Sequence, residues 1–226
     1  MILQNVVPWG RNFEEYKAMF SLNTTDLSSS ILGCADGPSS FNAEATKKNI
    51  SVISFDPIFQ FTKNEIKQRI LDTAETVMKE VEQNKGTYIW KNISSVNELK
   101  NVRILAMTKF LEDYEAGKKE GRYIEGSLPN LPFEKKSFNL VLCSHFLFLY
   151  SEHLDLDFHL NAVLEMCSVG NEVRIFPLLD LKGNRSEYLK PLTEHLKKAG
   201  YQYKVEIVDY EFQKGGNEML RIKSIK

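Results

Sequence analysis

The sequence predicts an α/β fold in which a mostly parallel sheet is covered by helices. Three observations predict it. Short apolar runs alternate with stretches of helical periodicity. One apolar run, Ile31-Leu32-Gly33-Cys34, feeds a turn of small residues ending at Gly37, and the next apolar run ends on an acid, Asp56, nineteen residues later. Two strand-like runs, 203–210 and 218–225, flank Lys214-Gly215-Gly216 and read as a hairpin.

The elements follow in order. Residues 11–21 read as an amphipathic helix with Phe13, Tyr16, Met19 and Phe20 on one side. A Ser/Thr/Asn-rich link, 23–30, leads into the first strand. A helix over 38–48 and a second strand over 50–55 complete one βαβ unit. Past Asp56, Ile66, Ile70, Ala74, Val77 and Val81 recur at helical spacing and predict a helix over 63–83, ended by Asn84-Lys85-Gly86. Leu99, Ile104, Met107, Phe110, Leu111 and Tyr114 predict another over 96–116. Two helices exceed a single crossover, so 63–118 is expected to be an inserted cap over a ligand site, and 1–29 an N-terminal helical cap. No linker suggests two independent units, so 1–226 reads as a single domain.

Composition narrows the function classes. A net charge of -1 and 42% hydrophobic residues are ordinary for a soluble globular protein and give no basic excess for holding nucleic acid. The three cysteines, Cys34, Cys143 and Cys167, lie in apolar stretches without paired metal spacing, which points to reduced thiols and a cytoplasmic protein. His145, His153 and His159 suit no common zinc site, so no metal is expected. Residues 1–7 lack the basic start of a secretory signal, and the apolar stretch 140–150 is too short and too interrupted to span a bilayer.

The turn after the first strand carries most of the chemistry. Gly33, Ala35 and Gly37, with Cys34 and Asp36 between them, let backbone approach a ligand closely. An acid at the end of the following strand is where such folds hold the two hydroxyls of a ribose, which assigns that role to Asp56, followed by Pro57. The dinucleotide fingerprint fails here, because Ser40 stands where its third glycine belongs. Asp36 would repel a pyrophosphate and attract an ammonium group. A ligand with a ribose and a cationic amino-acid end fits better than NAD, although another nucleoside cofactor on the same fold is a further alternative.

A second block of residues resembles a known family. Gly126-Ser127-Leu128-Pro129-Asn130-Leu131-Pro132-Phe133, running into Phe138-Asn139-Leu140-Val141-Leu142-Cys143-Ser144-His145, is similar to the fourth-strand region of class I S-adenosylmethionine-dependent methyltransferases. The run 164–177 resembles that family's entry to the fifth strand. The likeness covers roughly residues 30 to 226. It extends to an uncharacterised bacterial branch that shares Pro8-Trp9-Gly10-Arg11. It implies a Rossmann-like three-layer sandwich with a seven-stranded sheet, an antiparallel last strand, further strands at 122–125, 138–143 and 172–177, and helices at 158–167 and 186–199, the last closed by Gly200.

The resemblance also implies a cofactor, S-adenosyl-L-methionine, and roles. Ser127 and Leu128 would meet the adenine edge. On the chemistry of the guanidinium, Arg11 could grip the cofactor's carboxylate in two places, with Trp9, Gly10 and Tyr16 folding the first helix over it, or else be a surface arginine, the commoner state. Ser144 and His145 follow the fourth strand, where α/β folds open their crevice; His145 is the candidate general base, or else a packing histidine. Phe146, Phe148 and Tyr150 are candidates for core packing first and for a substrate pocket second. The chain departs from the family at Ile31, Ser127 and Asn139, where acids are usual. The expected activity is methyl transfer to a small-molecule acceptor, with no nucleic-acid or membrane partner. The alternative is a protein that binds the cofactor without transferring its methyl group.

Overall fold

The computed structural model describes residues 6–224. Residues 1–5 and the hairpin's expected last position, Ile225, lie outside them. The strands are β1 (Ile31–Cys34), β2 (Val52–Phe55), β3 (Tyr123–Ile124), β4 (Phe138–Ser144), β5 (Gly170–Phe176), β6 (Tyr201–Ile207) and β7 (Glu218–Ser224). They form one sheet in the order β3-β2-β1-β4-β5-β7-β6. The first five run parallel, and β7 lies antiparallel between β5 and β6. This is the seven-stranded Rossmann-like sandwich that the resemblance implied.

Alternation along each strand splits the core in two. Ile31, Leu140 and Leu142 face Phe13, Tyr16 and Phe41, while Leu32, Val141 and Cys143 face Val163, Met166 and Leu192. The first layer is built by α1 (Phe13–Met19), α3 (Phe41–Thr46) and α5 (Val96–Lys119), and the second by α6 (Leu156–Val169) and α7 (Leu189–Lys198). Tyr16 stacks on Phe41 at 4.4 Å between ring centroids, and Phe13 stacks on Phe41 at 5.5 Å. These stacks make the N-terminal helix part of the core rather than an appendage.

Local chemistry explains where the elements depart from the sequence reading. The link 23–30 contains a short helix, α2 (Thr24–Leu27), because Asn23 and Asp26 form a capping box. α3 begins at Phe41, not 38, because the Ser40 N–H donates to Arg11 O (3.0 Å) and the Ser39 hydroxyl also donates to Arg11 O (2.9 Å). α4 (Lys63–Gln83) has its expected bounds, fixed at the start by the Thr62–Glu65 capping box. α5 runs on to Lys119 through Gly117, which packs so closely on the Tyr123 ring that a Cβ would fall 2.4 Å from it. α5 contacts α3 and β3, so it fills the crossover position, and α4 is the additional helix packed against it.

Candidate functional site

The loops leaving β1 to β5 open at the carboxyl ends of the strands, the usual ligand side of such sheets. They surround a cavity of about 610 Å³. Ala35 to Gly37, Asp56 and Pro57, Gly126 to Leu128, Ser144 and His145, and Phe176 and Pro177 each bring one strand end to its wall. α1 adds Tyr16, the preceding segment adds Arg11, and α4 and α5 close the remaining side.

The turn after β1 is held in an unusual backbone. Ala35 has φ +54 and Gly37 φ +56, the left-handed region that costs a residue with a Cβ about 1 kcal/mol or more. A Cβ at Gly37 would meet nothing within 4 Å, so the turn presents bare backbone to the cavity. Gly33 serves a different purpose from the one expected. A Cβ there would fall 2.1 Å from Asp36 Oδ2, so the glycine makes room for the folded-back carboxylate rather than for a ligand. Cys34 is also placed off the cavity: its fully buried side chain joins the core facing α6 and α7, and burial pushes its thiol pKa well up.

Asp36 is 6% exposed. It accepts from Tyr16 Oη (2.7 Å) and Ser54 Oγ (2.6 Å). Burial outweighs these bonds and raises its pKa to about 6. Asp56 opens more to the cavity. Its Oδ2 accepts from the Gly37 N–H (2.9 Å) and its Oδ1 from the Ile58 N–H (2.7 Å), which ties the β2 end to the β1 turn. Burial raises its pKa to about 6 against both bonds, and the Asp36 charge adds to the rise.

A cationic centre stands on the other side. Arg103, fully buried on α5, is paired with Glu15 (2.7 Å) and donates to Tyr210 Oη (3.3 Å). Arg11 donates from Nη1 to Trp9 O (2.6 Å), but its Nε is buried with no hydrogen-bond partner. Burial and then the Arg103 charge lower the Arg11 pKa. Such a guanidinium calls for an anion in the cavity. His145 has φ +52, and its Nδ1 lies 3.0 Å from Ser144 Oγ. Burial, then the Arg11 and Arg103 charges, hold its pKa well below 6.5, so the imidazole is neutral at pH 7.

Arg11, Ala35, Asp36, Gly37, Asp56, Pro57, Ser127, Leu128, Ser144 and His145 thus meet at one cavity, whereas Gly33 and Cys34 stand behind it. Phe146 and Tyr150 reach the wall, but Phe148 is fully buried in the core. Asn139 is at the opposite end of the sheet, where its Oδ1 accepts from Ser30 Oγ (2.9 Å), so that departure does not touch the site. The sequence reading missed Ser54, Glu15, Arg103 and Tyr210. Arg103 carried a signal: it occupies the inward stripe of Leu99, Ala106 and Phe110, where a charge needs a partner.

No family model matches the chain. In sequence it is 36% identical over 222 residues to the uncharacterized protein MJ0045 of Methanocaldococcus jannaschii, covering 98% of this chain and 97% of that one. That relative is archaeal, so the bacterial origin of the resembled branch gains no support from it. In structure the chain resembles a TehB-like SAM-dependent methyltransferase from Corynebacterium glutamicum, with a TM-score of 0.50 and 14% identity over 95% of this chain and 88% of that one. It also resembles magnesium protoporphyrin IX methyltransferase from Synechocystis PCC 6803, at a TM-score of 0.47 and 9% identity over 88% and 75% of the two chains. The Corynebacterium likeness shows a shared fold, that of the Rossmann-like methyltransferases.

Proposed function

The chain belongs to the same family as MJ0045 of Methanocaldococcus jannaschii, and from that starting point we propose that it is an S-adenosylmethionine-dependent methyltransferase with a small-molecule acceptor. One observation carries the reading: buried acids and a guanidinium bonded, among the described residues, only to Trp9 O line the same cavity at the strand ends. That charge pattern complements a ligand with a ribose and a zwitterionic amino-acid end. Asp56 would accept from the ribose hydroxyls, and Asp36, whose oxygens already accept from Tyr16 and Ser54, would draw the ammonium group by its charge. Arg11 would take the carboxylate. Backbone from Ala35 to Gly37 would pass close to the ligand, with Pro57, Ser127 and Leu128 around the adenine and Ser144 beside the reacting end.

When bound, S-adenosylmethionine supplies a methyl group already activated on a sulfonium. The protein's part is to hold an acceptor in line and keep water out. His145, neutral and aimed into the cavity, would take the proton of the acceptor's nucleophile. α4, within the 63–118 segment, would cover the open side of the cofactor. The near-neutral net charge supports a small acceptor over nucleic acid. No helix among the described residues is long and apolar enough to cross a membrane.

Calorimetry with S-adenosylmethionine and S-adenosylhomocysteine tests the cofactor, and no binding by either would sink the reading. Release of S-adenosylhomocysteine with candidate acceptors tests transfer. His145→Gln is expected to lower turnover by about a hundredfold while cofactor affinity holds; unchanged turnover would remove the base role.

A further inference from the structure

Away from its acids the cavity changes character. Along α4 its lining runs Arg69, Asp72, Thr73, Val77, Val81, a course of about 18 Å from polar to apolar. At the apolar end Trp9, Val77, Val81, Tyr88, Leu99 and Phe212 line the wall and belong to one hydrophobic cluster. Trp9, Tyr88 and Phe212 are only half-buried, so aromatic surface remains open to the cavity.

Two segments remote in sequence roof this end. The Ile89 N–H donates to Phe212 O (2.7 Å), the Lys214 N–H donates to Thr87 O (3.0 Å), and Tyr88 pairs with Gln213 as an isolated bridge. Tyr88 stacks on Phe212 at 4.9 Å, and Trp90 meets Phe212 edge-on at 5.5 Å. None of the six wall residues carries a charge. Of the two arginines beside this end, Arg103 is already held by Glu15 and Arg11 is the group assigned to the cofactor's carboxylate. An ionic ligand here would be desolvated without a partner.

We propose that this apolar end is the acceptor subsite and that it takes a planar, uncharged aromatic molecule. As an acceptor subsite it rests on the methyltransferase reading; as a binding site it stands on the wall alone. Half-buried ring faces and edges offer the offset and edge-on contacts that aromatic ligands favour.

The test is calorimetry on the full chain with and without saturating S-adenosylhomocysteine. The probes are 1-naphthol and 1-naphthoate, which share a ring and differ in charge. The neutral probe is expected to bind at least about tenfold more tightly than the anion. Phe212→Ala is expected to weaken 1-naphthol about tenfold and leave S-adenosylhomocysteine affinity within about twofold. Val81→Phe, which fills the wall, provides a second variant whose folding the same cofactor titration checks. Tighter or equal binding of the anion overturns the proposal. So does 1-naphthol binding that ignores both folded variants. Variant-sensitive 1-naphthol binding with no binding of either S-adenosylmethionine or S-adenosylhomocysteine would remove the methyltransferase reading and support the aromatic site alone.

Discussion

Cofactor affinity is expected to depend steeply on pH between 5 and 7, because the groups assigned to the ribose and the ammonium both titrate there. Burial raises Asp36 and Asp56 to about 6 in the free protein. Unfolded aspartates titrate near 3.9, so the folded chain holds these protons more tightly. The stability this contributes is full below about pH 4 and is lost as pH rises through 6. For Asp36, which has little solvent to screen it, ionisation costs the unliganded protein about 3 kcal/mol; Asp56, more open, costs less. A ligand that needs both carboxylates ionised must displace their protons. Its affinity then falls about tenfold per acid from pH 7 to pH 5, or about a hundredfold for two independent acids. The two repel each other and titrate as a pair, which broadens the profile. The α-amino and α-carboxyl groups of S-adenosylhomocysteine keep their charges across this range, so the slope belongs to the protein. Titration calorimetry at pH 5, 6 and 7, in buffers of different ionisation enthalpy, reads both affinity and proton release. Asp56→Asn should flatten the profile to about tenfold, and His145→Gln should leave it unchanged. An affinity constant within twofold from pH 5 to 7, or one that rises on acidification, refutes the argument.

Other expectations follow from the same contacts. Arg11→Gln should weaken S-adenosylhomocysteine by about tenfold to a hundredfold, the worth of a charge-assisted bond, while thermal stability holds or rises because a buried cation with no carboxylate bonded to it among the described residues is gone; a calorimetric and melting comparison checks both. Arg174, 2% exposed, joins Asp26, Glu172 and Phe20 O across β5 and the N-terminal segment. Arg174→Met should lower stability in urea by about 3 kcal/mol, since it leaves Asp26 and Phe20 O without this partner while Glu172 keeps Arg221 and Lys223. Phe41→Ala removes the ring between Phe13 and Tyr16 and should cost about 3 to 5 kcal/mol.

The parts of the fold legible in the sequence are those fixed by local chemistry. α4 was readable because its stripe from Ile66 to Val81 is regular and Thr62 caps it. The turn, Asp56 and His145 were readable because their spacing follows strand ends. What escaped is what depends on folding back. Gly33 looked like a ligand contact, yet it accommodates Asp36, whose carboxylate turns inward to Tyr16 and Ser54. Cys34 sits within the same motif, but strand alternation points it into the opposite core. The α2 capping box, Asn23 and Asp26, was visible in the letters and lost in a polar stretch. The pairing of 87–90 with 212–214 had no local signal at all, since the two segments lie more than a hundred residues apart in the chain.

That clasp separates two kinds of change. On the proposed reading, substitutions in either of its loops are expected to resize the space beneath, because neither loop bonds Gly37 or Asp56. A descendant of this chain can therefore alter what it accepts while keeping the means of holding a nucleoside, and the selectivity of such proteins should diverge fastest in the two stretches that meet overhead.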